Sequence, residues 1–427
     1  MTNRIKIFLC LFLALSMAMP MSAFASVDQD AQTLAELAYG EATEQTALVA
    51  GGANDFAFRL STKLVQEAGT ENFVFSPYSV WLPIAALLNA TDAAHQEALL
   101  EALGAIGVTE ADVNQAAYRM LYDLTKEEER FYREDYDSPL QIANAIFVRQ
   151  DMTLNKDFTQ SFADYFKGTA MNLDFSSPEA VDIVNQWASD NTEGLITDLV
   201  QEFDPMTIAV IANAIYFSDR WEEEFNPKET EEDVFHAPSG DSTAFYMLCD
   251  SDSQYYYEDT RMQAICLPFL NGGGMYILLP KDETAMELLS AMTQDYFDEI
   301  RISTRPTKGK LLLPRFAIEN DVPNLRDALE ALGVPLFDIG AAPLTGGLLE
   351  GDMPVWLSDA MQKAIVKVDE EGLTAAAVTL MYSDSLGMEF PSEPFEMNCN
   401  KPFVFLLCQS TADGDEQVLF TGVVNQP

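Results

Sequence analysis

Apolar residues recur on one stripe at Phe56, Leu60 and Leu64, and predict a helix over residues 55–66 with Asn54 as its cap. Asn72-Phe73-Val74-Phe75 reads as a short strand. It turns into a second helix at Ser76, a capping residue, and Pro77, which suits a first helical turn. This helix runs through Trp81 to residue 90, is apolar almost all round, and is expected in the interior. Further helices are predicted over 94–103, 157–166, 178–191, 283–299 and 324–332, the last stopped by Gly333. Strands are predicted over 141–148 and 310–318, and repeatedly between Phe245 and Leu279 around the Asn271-Gly272-Gly273-Gly274 turn. The run TIAVIANAIYF, residues 207–217, suits a strand buried on both faces in the middle of a large sheet. Residues 126–137 and 222–233 are charged and read as exposed connections. Helices come mainly early and strands mainly late, which indicates one α+β domain.

One stretch fits neither pattern. Ile365, Val366 and Val368 read as a strand, as do residues 403–407, but about 25 residues between them carry no periodicity. The first half of this interval is small and β-branched: Gly372, then Thr374-Ala375-Ala376-Ala377-Val378-Thr379. The second half is polar and broken by Gly387, Pro391 and Pro394. A loop whose first half is fit to be a strand is the organising puzzle of the sequence.

Composition narrows the setting. Residues 1–25 carry a basic start at Arg4 and Lys6, an apolar run, and Ala23-Phe24-Ala25, and read as a secretory signal cleaved after Ala25. Residues 26–52, polar and alanine-rich, read as an N-terminal extension, and the domain is expected over 53–427. No other run is long enough to span a membrane, so a secreted, extracellular, soluble chain is expected. The formal charge is −44, and loss of the two basic residues takes it to −46. Such a surface repels nucleic acid, anionic lipid and heparin-like polyanions. After cleavage Cys249, Cys266, Cys399 and Cys408 remain. Cys266 and Cys408 lie in apolar strand-like runs and read as buried free thiols.

Catalytic chemistry is not signalled. His95 and His236 have no metal-ligand partners at helical spacing, there is no Cys-x-x-Cys pair and no Gly-x-Ser-x-Gly elbow, and the glycine turn is not followed by a helix. No metal and no cofactor are expected, and the chain reads as no enzyme.

Six segments in order carry a resemblance. They are NFVFSPYS (72–79), IVNQWASDNTEGLI (183–196), NAIYF (213–217) with Trp221, LLLPRFAIEN to LRDALEALGV (311–334), KVDEEGLTAAAVT (367–379), and NKPFVFLL (400–407) with LFTGVV (419–424). Over 54–427 the chain resembles a serpin. The resemblance implies a fold of three β-sheets and eight or nine helices with an exposed reactive-centre loop. In inhibitory members a target serine protease cleaves the loop and forms a covalent acyl-enzyme complex. The freed half of the loop then inserts into the main sheet, and the protease is trapped. The native state is accordingly metastable, and a monomer is expected to suffice.

The resemblance also implies residue roles. Glu370, Glu371, Gly372, Leu373, Thr374, Ala375, Ala376, Ala377, Val378 and Thr379 match the hinge, and the family's spacing from Glu370 places the scissile bond at Leu386–Gly387. A leucine there suits elastase-, chymotrypsin- or subtilisin-like enzymes. Ser76, Ser79 and Asn213 match a polar cluster beneath the opening sheet, with Gln362 where many members have histidine. Arg315 and Glu370 match an ion pair where the loop enters. Leu373 stands where inhibitory members usually have Thr or Ser, and its bulk is expected to slow the first step of insertion. Non-inhibitory binding and cysteine-protease inhibition are the rival readings.

Overall fold

The first helix of the computed structural model starts earlier than its apolar stripe predicts. Helix α1 (Glu44–Ala68) is capped at Thr43, whose hydroxyl accepts from Thr46 N at 3.1 Å while Thr46 Oγ1 accepts from Thr43 N at 2.9 Å. Residues 44–52 are therefore helix and not extension. Asn54 is no cap: in mid-helix its Nδ2 donates to Glu416 O at 2.8 Å and its Oδ1 accepts from Val418 N at 2.9 Å. Glycine disfavours helix, yet Gly51-Gly52 lies inside α1. Its structural reason is a close approach, since a Cβ on Gly52 would lie 2.4 Å from Gly104 O. The structure describes residues 39–40, 42–125, 140–322, 324–373, 393–411 and 414–427.

Helix α2 (Pro77–Ala86) follows strand β1 (Phe73–Phe75) and is buried along its whole length, as its apolar composition predicts. Helices α3 (Gln96–Ala102) and α4 (Glu110–Leu124) pack beside it, and the Trp81 indole donates to Leu103 O at 3.1 Å. Then come β2 (Leu140–Arg149), α5 (Lys156–Phe166), β3 (Gly168–Leu173) and α6 (Glu179–Asp190). Next are β4 (Ala209–Phe217), β5 (Asp219–Arg220), β6 (Glu231–Ala237), β7 (Gly240–Glu258), β8 (Met262–Pro268) and β9 (Gly274–Pro280). The predicted helix over 283–299 is two, α7 (Ala285–Ser290) and α8 (Gln294–Ser303), because the Thr293 hydroxyl accepts from Tyr296 N at 3.2 Å and starts a new helix. The predicted strand over 310–318 is also two, β10 (Arg305–Pro314) and β11 (Phe316–Asp321), which part at Arg315 into different sheets. Helix α9 (Leu325–Ala331) precedes β12 (Asp359–Met361), β13 (Lys363–Val368), β14 (Gly372–Leu373), β15 (Phe395–Asn398), β16 (Phe403–Ser410) and β17 (Glu416–Val424).

Three sheets result. The largest runs β1-β17-β16-β9-β8-β7-β10-β15 with β6 on β7, so part of the predicted acidic connection is strand. The others run β12-β4-β2-β3 and β11-β13-β14-β5. These two share chain segments: only Gln362 separates β12 from β13, and only Ser218 separates β4 from β5. Together they form one broken sheet with an opening in its middle. Among the described residues Cys249, Cys266, Cys399 and Cys408 are free, and the last three are buried.

The glycine pair in α1 yields a paired test. Gly51→Ala, with nothing near its Cβ position, is expected to stabilise by about 1 kcal/mol through helix propensity. Gly52→Ala is expected to destabilise by about 1–3 kcal/mol through overpacking against Gly104. Urea or thermal unfolding of both variants reads the opposite signs.

Candidate functional site

The site is the opening in the broken sheet. β12 and β4 pair in parallel at Asp359 with Val210, Ala360 with Ile211 and Met361 with Ala212, and among the described residues the pairing stops there. Beyond it, β13 pairs on its outer side with β11, from Lys363 with Asp321 to Val368 with Phe316. β4 continues on its outer side with β2 as far as Phe217 with Leu140. The two inner edges, 213–217 and 363–367, face an interval that no strand among the described residues fills. Two such edges offer the backbone donors and acceptors that an added strand would use.

The split begins at two polar residues, Asn213 and Gln362, each one position past the last pair. Gln362 Oε1 accepts from Ser76 N at 2.9 Å, and its Nε2 donates to Ser76 O at 2.9 Å and Ser79 Oγ at 2.6 Å. The predicted polar cluster is thus a trio of Ser76, Ser79 and Gln362, all buried. Asn213 is not bonded to it. Its Nδ2 donates to Asn144 Oδ1 at 2.7 Å, and its own buried Oδ1 has no partner among the described residues. The reason is strand pairing: β2 sets Asn144 directly opposite Asn213.

One face of the opening is covered by α6 and the segment after it. Ala180, Val184, Ala188, Ile196 and Val200 pack with Phe147, Val210 and Ala212, and Met361 and Ile365 lie against the same cluster from across the interval. Lys363 pins this segment ionically. Its buried Nζ meets Asp198 Oδ1 at 2.6 Å and Glu319 Oε1 at 3.0 Å. Burial works against the Lys363 charge, but these two carboxylates hold its pKa above the usual lysine value. In the sequence this contact shows only as a lysine inside an apolar strand.

At the far end the opening is closed by the hinge. Arg315 donates through Nε to both Glu370 oxygens, at 3.0 and 2.8 Å, and through its terminal nitrogen to Oε1. Thr230 donates to the same carboxylate, and Arg315 lies 5.8 Å over the Phe245 ring. Glu370 is 5% exposed. Burial disfavours its charge, yet the hydrogen bonds from Arg315 and Thr230 outweigh burial and hold the carboxyl below the usual glutamate range. The hinge backbone is fastened as well. The Trp221 indole donates to Asp369 O at 2.9 Å, Trp221 N to Glu371 O at 3.1 Å, and Phe225 N to Glu370 O at 2.9 Å.

Leu373 is where the structure departs most from expectation. The sequence predicts that it enters the interior only on insertion. In the intact chain it already forms β14, pairs with Val368 on one side and Asp219 on the other, and is 1% exposed. Gly372 beside it has φ of 148°, and a Cβ there would lie 2.3 Å from Asp219 O, so only glycine fits this approach. Glu371 is exposed. Thr374, Ala375, Ala376, Ala377, Val378, Thr379, Leu386 and Gly387 lie outside the described residues. Residues 374–392 connect β14 to β15, which joins a different sheet through parallel pairing of Phe395 with Gly309.

The arrangement holds strands and not reagents. Among the described residues no group of His, Cys, Asp or Glu could hold a metal ion, and no helix is long and apolar enough to cross a membrane.

The sequence profile described as Serpin (serine protease inhibitor) matches residues 51–427. Antitrypsin of Bombyx mori is 28% identical over 400 residues, covering 92% of this chain and 97% of the relative. Alpha-1-antiproteinase of Rattus norvegicus is 26% identical over 378 residues, covering 87% of this chain and 88% of the relative. Among solved structures the thermophilic serpin tengpin in its native state superposes with a TM-score of 0.77, at 24% identity, over 91% of this chain and 96% of that one.

Removing the Arg315 guanidinium leaves the Glu370 charge buried with only Thr230 and its own backbone N–H to stabilise it. Arg315→Ala is expected to destabilise the hinge by about 1–3 kcal/mol at neutral pH. Because the pair depresses the Glu370 pKa, its contribution is present above the ordinary glutamate value and is lost as pH falls through the depressed one. Hydrogen exchange of the 368–373 segment at pH 7 and at pH 3 reads both. Equal exchange in wild type and variant at pH 7 would count against the assignment.

Proposed function

The chain belongs to the serpin family, and on that premise we propose that it is a secreted, extracellular inhibitor of serine endopeptidases that acts once and irreversibly. The observation that carries this reading is the unpaired interval between β4 and β13, wedged by Gly372 and Leu373 and followed directly by the small-residue run of the loop.

The chemistry belongs to the protease, and the inhibitor supplies the trap. The protease serine attacks the Leu386 carbonyl, an ester to Leu386 forms, and the amine of Gly387 leaves. The chain from Thr374 onward is then free to extend β14 into the interval. Each backbone hydrogen bond it forms contributes about 0.5–1.5 kcal/mol net, and both inner edges contribute. Small and β-branched side chains from Thr374 to Thr379 fit between strands at low steric cost. Insertion carries the esterified protease with it and distorts its catalytic groups, so hydrolysis of the ester stalls.

The seated Leu373 removes an objection. Its bulk is accommodated before cleavage, so it is not part of the barrier that follows. The predicted primary residue, Leu386, directs the loop toward elastase-, chymotrypsin- or subtilisin-like enzymes. The charge of −44 fits neither nucleic acid nor heparin as partner. No cofactor takes part, and the chain acts as a monomer.

Mixing the protein with elastase, chymotrypsin, subtilisin and a papain-like enzyme tests the reading on denaturing gels. The expected result is a band near the summed mass that survives denaturant with one of the serine enzymes. Cleavage near residue 386 across the panel without such a band would sink it and leave non-inhibitory binding. A band with the papain-like enzyme alone would move the target to cysteine proteases. Cleaved protein is expected to melt far above the intact form.

A further inference from the structure

Asp219 has the surroundings of a residue that is closed off when the hinge is seated. It lies in the two-residue strand β5, and its backbone pairs with Leu373 while Arg220 pairs with Gly372. Ser218 Oγ also donates to Leu373 O at 2.9 Å. The Asp219 side chain is 4% exposed. Its Oδ1 accepts from Arg220 N at 2.8 Å and from Asn271 Nδ2 at 2.9 Å. Its Oδ2 is buried and has no hydrogen-bond partner among the described residues. A carboxylate half satisfied in this way is costly to hold in its charged form.

We propose that Asp219 is a positioning residue for loop insertion, and that the proton on its buried carboxyl group sets how firmly the Gly372–Leu373 hinge is held in the sheet. This rests on the inhibitory reading above. Seating the hinge shuts the carboxyl group away from water. Releasing it returns the group to solvent. The seated hinge is also the first pair of residues of the strand that must grow. A hinge that has left the sheet must reseat before insertion starts, and during that delay the ester is hydrolysed.

The groups that face Asp219 are few. Arg220 on its own strand carries the nearest charge and favours the carboxylate. The β8–β9 turn presents the Asn271 side-chain amide, and the Asn271 backbone carbonyl accepts from Gln409 Nε2 at 3.1 Å. β14 brings only Gly372 and Leu373, and β13 brings Val368. In the turn between them, Asp369 Oδ1 accepts from Glu371 N at 3.0 Å and Gly372 N at 3.3 Å, and Glu370 is taken by Arg315 and Thr230. Burial dominates these influences and pushes the Asp219 carboxyl up to about 6. The sign follows. A pKa raised in the seated state means that seating is strongest below the ordinary aspartate value and weakens as pH rises through about 6. The full change in the seating equilibrium is up to about 100-fold, for a shift of roughly two pKa units.

The test uses the intact chain. Protection factors for the 368–373 segment are measured from pH 4.5 to 7.5 in wild type and in Asp219→Asn, which keeps the Oδ1 acceptor and removes the charge. Wild-type protection is expected to fall by up to about 30-fold across the range, centred between pH 4 and 6, and the variant to stay high and flat. The number of inhibitor molecules consumed per subtilisin trapped is then compared at each pH, and the ratio of wild type to variant is expected to rise with pH. Taking the ratio removes the titration of the protease. His95, paired with Asp92, and His236, paired with Asp241, are common to both proteins. A wild-type hinge whose protection does not change with pH overturns the proposal whether or not the variant folds, as does an identical change in the variant. A pH-dependent hinge lost in the variant, with no trapping by either protein, supports the seating role and overturns the inhibitory reading instead.

Discussion

Backbone pairing between β12 and β4 stops after Met361 and Ala212, and the rest of the structure is arranged around that shortfall. A sheet with two facing unpaired edges in its middle has not reached its best hydrogen bonding. A segment of the same chain that could complete it begins at Leu373, already seated at one end. Residues 374–392 join that seated end covalently to β15 in another sheet.

Three sets of contacts hold the opening in its present form, and each acts at a different height. At the base, Gln362 ties the divergence point to Ser76 and Ser79 on the buried helix α2. In the middle, Lys363 draws Asp198 across the covered face, so the segment after α6 is fixed to the strand on the far side. At the top, Arg315, Thr230, Trp221 and Phe225 fix residues 369–371. None of these contacts lies between the two inner edges. Each can give way without breaking the pairing of β13 with β11 or of β4 with β2.

Much of this was legible in the sequence because it depends on local pattern. The apolar run 207–217 became β4, the Ser76-Pro77 start became α2, and Arg315 and Glu370 meet as the family resemblance implies. What was not legible depends on backbone packed against backbone or on pairings distant in sequence. The place of Gly52 inside a helix follows from its contact with Gly104 and not from any local pattern. Asn54 read as a cap because its partners on β17 lie over 360 residues away. Leu373 read as an obstacle because its place between Val368 and Asp219 follows from strand geometry, which side-chain size does not reveal. Asp219, in a two-residue strand, offered no pattern at all.

The state of the cysteines bears on how such a molecule withstands oxidants. Cys266, Cys399 and Cys408 are buried, burial pushes their thiols well above the usual range, and Cys249 is pushed up to about 11. The thiolate is the species that reacts with oxidants and disulfides. The four described cysteines thus stay chemically silent, and the chain can meet oxidants without forming a cross-link among them.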